Sequence, residues 1–337
     1  PNTLVHFFHL YTQRSPAASM FPAFAVLLLL AEGVSGCPFL QQRLDQEMKG
    51  QEAPTTSIDT EEPTEAEDER KLQRVDNLLK RFEWPTEYRT FNGTGNNLNN
   101  TQMGAVQQMF FRSTPANYSD GKSSLRSDLP NPREISNAIA DQMNSTVENI
   151  RGATDLLWMW GQFLDHDLSF TVASTDPGLP INIPIPDGDP VLGSNMAINL
   201  TRSVAVYDSQ GVYQQLNNVT AWIDASTVYG TDDERASALR GTAFPRRLLP
   251  NAIRTCDGSI KRFLPINNGG LPNKGGSDSE NLFLAGDFRV NEHIGLIALH
   301  TLFLREHNYW ANRLQRYSDD EEVSYQRARM IVTAEIQ

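Results

Sequence analysis

The chain has 337 residues, a formal net charge of −12, 39% hydrophobic residues and two cysteines. That length accommodates one large domain or two. Residues 41–70 hold ten acidic and three basic side chains, so the remainder is only mildly acidic, which argues against phosphate-backbone binding and hence against nucleic acid as a partner. Cys37 and Cys256 give no disulfide framework.

In chain order, Met20–Gly36 carries the apolar run FPAFAVLLLLA followed by small residues. The run is too short to span a bilayer and has the shape of a secretory h-region with a cleavage site. The tetrapeptide Val34–Cys37 also reads as a lipobox, which would leave Cys37 lipidated in a bacterial source. Six N-x-[ST] sequons, at Asn92, Asn99, Asn117, Asn144, Asn199 and Asn218, fit a secreted glycoprotein. Residues 1–36 are therefore read as upstream residues plus signal peptide, 37–71 as an acidic disordered linker, and 72–337 as the folded domain. No internal repeat is visible, and no transmembrane segment is expected.

Within that domain, 91–100 (FNGTGNNLNN) is a Gly/Asn-rich turn cluster without the third glycine of a dinucleotide loop. Helical periodicity covers 133–143 and 147–170. Five prolines in 174–195 predict a long extended loop, and TDDERASALR predicts a short helix. Asp257–Gly276 reads as a further loop. The strongest helix is expected over 292–316, with Arg305 and Arg313 on its wetter side, followed by another over 321–337. Strand signals are few, so the fold class is mainly α with long irregular loops.

The chemistry concentrates at two places. In 158–171 (WMWGQFLDHDLSFT), Gln162, Asp165 and His166 fall within about 100° on a helix, and Asp167 lies about 100° further round. An apolar face that buries an imidazole, an amide and a carboxylate needs a cofactor or partner. A neutral His166 can accept a proton from a small polar molecule such as hydrogen peroxide while the Gln162 amide orients the water or halide nearby. Arg289, in GDFRVNEH, supplies a permanent cation for negative charge developing as an O–O bond breaks. Asp167 faces elsewhere and needs its own partner. In TAWIDAS, Thr220, Trp222, Asp224 and Ser226 alternate, and with Asp167 they offer two carboxylates, two hydroxyls and carbonyl oxygens suited to Ca²⁺. The bland alternative for that segment is a turn with Asx and ST hydrogen bonds.

Three other features are read as structural. His293, His300 and His307 recur every seven residues, a rise of about 10.5 Å on a helix, which no single zinc ion can bridge. His300 and His307 are read as buried hydrogen-bonding residues, and Arg305 and Glu306 as an intramolecular pair or network rather than catalytic groups. Trp158, Trp160 and Trp310 are read as core or pocket wall.

The segments WGQFLDHDLSFT, TAWIDASTVYG, FLAGDFRVNEH and HTLFLREHN, in this order, resemble the animal haem peroxidase superfamily, which includes myeloperoxidase, peroxidasin and peroxinectin. YRTFNGTGNNLNN and LPNPREISNAI extend the resemblance upstream, from about Tyr88 to Gln337. It implies the family's helical fold, haem b and Ca²⁺. The implied activity is reduction of hydrogen peroxide coupled to oxidation of a halide, thiocyanate or phenolic donor. By the same resemblance, His166 is the distal base, Gln162 its pocket neighbour and Arg289 the catalytic arginine. Asp165 and Glu292 match the carboxylates that can form ester bonds to haem. Asp167, Thr220, Trp222 (through its carbonyl), Asp224 and Ser226 match the calcium ligands. His293 stands where myeloperoxidase has its haem-linked methionine, so that third link is expected to be absent.

The family's proximal histidine lies well downstream of the arginine. The six histidines here (His6, His9, His166, His293, His300 and His307) are all otherwise placed, so the domain is expected to be C-terminally truncated and inactive alone. Two alternatives accompany this reading. One is a fatty-acid dioxygenase of the same fold. The other is a non-catalytic, calcium-stabilised adhesion or matrix module with an extracellular or cell-surface partner.

Overall fold

The computed structural model describes residues 65–337 apart from 142–146, 177–179, 194–195, 255–259 and 274–281. The signal-like run, Cys37, Cys256 and the Asn144 sequon lie outside the described residues. Contacts divide the chain into two compact units, Thr90–Thr227 on the one hand, and the residues up to Arg89 with Val228–Gln337 on the other.

The second unit contains α1 (Glu65–Arg81), which begins ahead of the expected onset of order at Leu72. Its later turns are tied down: Asp76 accepts from the Tyr317 hydroxyl at 2.8 Å and pairs with Arg313 at 2.8 Å. Leu79 and Trp84 pack with Trp310, Tyr317 and Ile331 against buried Ala311, Leu314 and Ala328. Enough apolar surface is covered to hold a helix that an acidic composition alone would leave disordered.

In the first unit, α2 (Pro132–Ala140) starts where Asn131 accepts the Arg133 N–H and proline occupies the first helical position, a favourable start because proline has no N–H to leave unpaired. α3 (Leu156–Leu168) is shorter than the predicted 147–170. The cause is a turn at 149–152: Asn149 Oδ1 accepts the Arg151 N–H, the Gly152 N–H closes on the Asn149 carbonyl, and Gly152 has φ +65°. Such an Asx turn with left-handed glycine competes with helix.

The proline-rich loop contains β1 (Ile183–Pro184), which pairs antiparallel with β2 (Ala197–Ile198). β3 (Ala205–Tyr207) pairs with β4 (Tyr213–Gln215). Asp189 clasps the loop to α2, taking Arg133 Nε at 2.6 Å and Nη2 at 2.8 Å, Asn137 Nδ2 at 2.9 Å and two loop N–H groups.

One helical turn, α4 (Ser226–Tyr229), leads into α5 (Asp233–Ala238), whose N-cap Asp232 accepts the Arg235 N–H. β5 (Asn251–Arg254) pairs with β6 (Ile260–Phe263), so the segment predicted as a loop over Asp257–Gly276 contains a strand. α6 (Ile294–Leu314) is capped by His293 and tightens into a 3₁₀ turn at Gln315–Tyr317. α7 (Glu321–Ile336) follows and packs along α6.

Two side-chain expectations change. Arg313 is not on a wet face, because α1 covers it. Arg305 donates to the Arg262 carbonyl at 2.8 Å rather than to Glu306, and the single indole N–H of Trp310 goes to Glu335 at 3.1 Å. His307 is wholly buried and bonded at both ring nitrogens, to the Tyr229 hydroxyl at 2.9 Å and the Arg246 carbonyl at 3.0 Å. Among the described residues, no helix is long and apolar enough to cross a membrane.

Candidate functional site

α3 places its polar side chains unequally. His166 is 3% exposed and Asp167 1%, Gln162 is half-buried and Asp165 exposed. The desolvation argument therefore holds for His166 and not for Asp165, whose carboxylate accepts from the Ser169 hydroxyl at 2.8 Å, where the helix stops. Trp160 stacks on Phe163, and Phe163 is fully buried. That contact fixes the face opposite Asp165.

Asp167 is held by the loop that follows β4. Its carboxylate accepts the Ala225 N–H at 2.8 Å, the Thr227 N–H at 2.6 Å and the Ser226 hydroxyl at 3.2 Å. Around the Thr220 hydroxyl stand the Asp224 carboxylate at 3.1 Å, the Ser226 hydroxyl at 3.4 Å, and the Asp167 and Trp222 carbonyls at 3.5 Å each. A hydroxyl has one proton and can serve one of these acceptors. Oxygens 3.1–3.5 Å apart match roughly the 3.3–3.7 Å edges of an octahedron with 2.3–2.6 Å metal–oxygen bonds. The donor set, two carboxylates with hydroxyls and carbonyls, suits a hard cation. Among the described residues, no group of three or more His, Cys, Asp and Glu side chains forms a metal cluster, which leaves this oxygen cage, with only two such side chains, as the arrangement of interest. Burial, and then the Asp224 charge, push the Asp167 carboxyl up to about 7, against the N–H groups and hydroxyl that lower it.

Residues passed over in the sequence build this cage. Asn217, 4% exposed, accepts the Phe170 N–H at 2.9 Å and donates to the Leu168 carbonyl at 2.9 Å, so it stitches the end of α3 to the loop. Gly93 and Gly104 have φ +77° and +75°; a Cβ on Gly104 would meet Trp222 Nε1 at 2.5 Å, and one on Gly93 would meet Thr220 Cγ2 at 3.0 Å. The turn cluster at 91–100 thus backs the cage. Ala225 takes φ +61°, a conformation that costs a non-glycine residue of order 1–3 kcal/mol and persists where surroundings over-determine it. Here Asp167 does so by taking its N–H.

In the other unit, Arg289 is 7% exposed and Asp287 3%. Asp287 accepts the Arg289 backbone N–H at 2.8 Å and, in a fork, Nε at 2.9 Å and Nη2 at 2.7 Å. A bidentate, charge-assisted pair of this kind fixes the guanidinium plane. Asp287 lies within the motif that carried Arg289 but was not assigned a role in the sequence; the i, i+2 spacing of Asp and Arg was its only signal. The Glu292 N–H closes a turn on the Arg289 carbonyl at 3.0 Å, leaving Glu292 exposed. His293 Nδ1 then accepts the Gly295 and Leu296 N–H groups at 3.1 and 3.3 Å. The structure thus brings together Asp167, Thr220, Trp222, Asp224 and Ser226, sets Gln162, Asp165 and His166 with Asp167 on the helix that ends at Leu168, and groups Arg289 with Glu292.

Residues 88–337 match the family described as animal haem peroxidase. The chain is 31% identical over 303 residues to peroxidasin of Drosophila melanogaster, covering 75% of this chain and 19% of that protein. It is 34% identical over 277 residues to peroxidase mlt-7 of Caenorhabditis elegans, covering 74% and 35%. Among solved structures, peroxidase A of Dictyostelium discoideum superposes with a TM-score of 0.63 at 28% identity, covering 75% of this chain and 52% of that one. A fatty acid alpha-dioxygenase of Arabidopsis thaliana superposes with a TM-score of 0.53 at 19% identity, covering 77% and 37%, a likeness of fold alone. The chain therefore spans about a fifth to a third of the length of these two sequence relatives. From the matched span and these identities, the chain belongs to the animal haem peroxidase family.

Proposed function

We propose that this chain carries the peroxide-handling side of a secreted haem peroxidase, one that reduces hydrogen peroxide and oxidises a halide, thiocyanate or phenolic donor. The observation that carries the reading is the paired anchoring of its two candidate groups. His166 precedes an Asp167 fixed by three donors, and Arg289 is forked onto Asp287. Both are held rigid and nearly dry, as preorganised catalysis requires.

In this reading the neutral His166 imidazole takes a proton from hydrogen peroxide at its unprotonated ring nitrogen and returns it to the departing oxygen. Gln162, one turn earlier, orients the small molecule. Arg289 stabilises the negative charge that develops as the O–O bond lengthens. Haem, when bound, supplies the redox chemistry, and the exposed Asp165 and Glu292 would be the carboxylates for ester links to it. Asp167, Thr220, Trp222, Asp224 and Ser226 would hold Ca²⁺. The cation would cancel the repulsion between the two carboxylates and brace the end of α3. The apolar run at Met20–Gly36 and the exposed sequon residues Asn99, Asn117 and Asn199 support export, with an extracellular matrix as the natural setting for a partner.

The test is His166→Ala in the full-length holoprotein. Haem uptake is expected to persist while the second-order reaction with hydrogen peroxide slows by about 10²–10⁴-fold, the usual worth of a general base. An unchanged rate would assign the chain to a non-catalytic module.

A further inference from the structure

Arg235 is 6% exposed, and its side chain does none of the work assigned so far. It rises from α5, where its own N–H is taken by the Asp232 cap at 2.7 Å. Its guanidinium donates to the Ala285 carbonyl at 2.8 Å and to the Pro272 carbonyl. Among the described residues, therefore, a buried charge ends on main-chain oxygen. Burying a guanidinium is expensive, and charge-assisted bonds to carbonyls are the kind that offset it. Gly230 makes room for the stem: it has φ +91°, and a Cβ there would stand 3.1 Å from Arg235 Cγ.

The location of the Ala285 carbonyl matters. The segment leading to it is already pinned. The Leu284 N–H bonds the Pro265 carbonyl at 2.8 Å. Phe283 exchanges hydrogen bonds with the Asn291 side chain at 2.9 and 2.8 Å. Ala285 is the next residue, and Asp287, the holder of Arg289, comes two residues later. Arg235 thus grips the last main-chain oxygen anchored before the Asp287–Arg289 fork. Its positive charge also attracts the Asp287 carboxylate through space, so Asp287 lies in the field of two guanidinium groups.

We propose that Arg235 is a positioning residue for Arg289: by holding the Ala285 carbonyl it sets the start of the turn on which Asp287 aims the Arg289 guanidinium. The inference rests on the reading of Arg289 as the cation on the peroxide side. It assigns to α5 a task outside every motif that carried the family resemblance except the glycine that precedes it.

The experiment compares Arg235→Gln, Arg235→Lys and Arg289→Gln in the full-length holoprotein. Three quantities are read: the second-order rate with hydrogen peroxide, the KM for the electron donor, and cyanide affinity by optical titration. Amide hydrogen exchange over 282–292 is followed in parallel. Arg235→Gln is expected to slow the peroxide step about 10–100-fold, the scale of a misplacement near 1 Å. It should also weaken cyanide binding, speed exchange over 282–292 and leave the donor KM unchanged. Arg235→Lys, which keeps the charge and can reach one carbonyl, should recover part of the rate. Should Arg235→Gln not accumulate as folded protein, Arg235→Lys carries the test, with a peroxide rate below wild type and unchanged donor KM as the supporting result. The proposal is overturned if the peroxide rate and cyanide affinity of the folded variants match wild type while Arg289→Gln loses both. If Arg289→Gln itself changes nothing, the reading of Arg289 fails first and the proposal falls with it.

Discussion

Asp167 and Asp287 are both almost wholly buried, at 1% and 3% exposure, yet the protein treats the two charges in opposite ways. Asp287 meets a guanidinium two residues along its own chain and forks onto it. Asp167 meets backbone N–H groups, a hydroxyl and a second carboxylate, Asp224, whose charge helps push its carboxyl up to about 7. The Asp287 arrangement is electrically closed by residues the chain supplies. The Asp167 arrangement gathers a second carboxylate and the lone pairs of hydroxyls and carbonyls, and in the proposed reading a positive ion from outside would close it. The Asp287 charge is neutralised by its own chain, whereas the Asp167–Asp224 pair is held by N–H and hydroxyl donors against its own repulsion.

The comparison can be broken most forcefully at Asp287. Asp287→Ala strands the Arg289 charge, and loss of one member of a buried ion pair costs about 3–5 kcal/mol. Chemical denaturation of the full-length protein should register a loss of that order with or without Ca²⁺; a loss near zero would mean Arg289 is neutralised elsewhere. Asp224→Asn should act with a sign that depends on the medium. In chelator it relieves the carboxylate repulsion and stabilises by about 1–2 kcal/mol, since each pKa unit is worth about 1.4. In excess Ca²⁺ it forfeits the roughly 2.7 kcal/mol that an ion at a hundred times its Kd confers. Thermal unfolding in both media reads the difference, and equal shifts in both would remove the cage from consideration as an ion site.

Gly104→Ala sharpens the picture without touching a charge. The left-handed φ and the 2.5 Å approach to Trp222 together predict a loss of about 1–3 kcal/mol. Asp167-dependent Ca²⁺ affinity, measured by titration, should fall with it, because Trp222 offers its carbonyl to the cage.

The smallest effect concerns another acid pair. Glu335 is exposed at its rim, yet partial desolvation of its carboxyl, then the Glu306 charge, raise it from 4.5 to about 7. A carboxyl with a raised native pKa binds more protons folded than unfolded, so stability declines as pH climbs from about 4.5 to 7. Solvent at Glu335 screens the effect. Glu335→Gln should flatten that decline in a pH series of unfolding midpoints; an unaltered slope would assign the decline to other groups.

What could be read ahead of the fold divides along sequence separation. The relation of Gln162, Asp165 and His166 on one helix is a matter of 3.6-residue periodicity, and α6 and α7 follow from uninterrupted patterns. The α5 start was visible in its acidic first turn. The Asp287–Arg289 fork is local too and was within reach. By contrast, Asn217, Gly93 and Gly104 matter because of contacts across roughly 50 to 130 residues, as in the Asn217–Leu168 bond and the approach of Gly93 to Thr220. Nothing in their immediate surroundings announces that. The two- to four-residue strands are set by their partners, not by propensity. α1 begins before Leu72 because Asp76, Leu79 and Trp84 find contacts some 240 residues downstream, as the Tyr317–Asp76 bond shows.

His293 has a consequence of its own. It caps α6 through a ring nitrogen lone pair, and burial holds its pKa below the ordinary 6.5. Such a cap is intact above that value and is unfastened as acid protonates Nδ1 and removes the acceptor. The first turn of α6 follows directly on Arg289 and Glu292, so protonating that ring nitrogen would loosen the arginine's footing, while a pH above its depressed pKa keeps the turn locked.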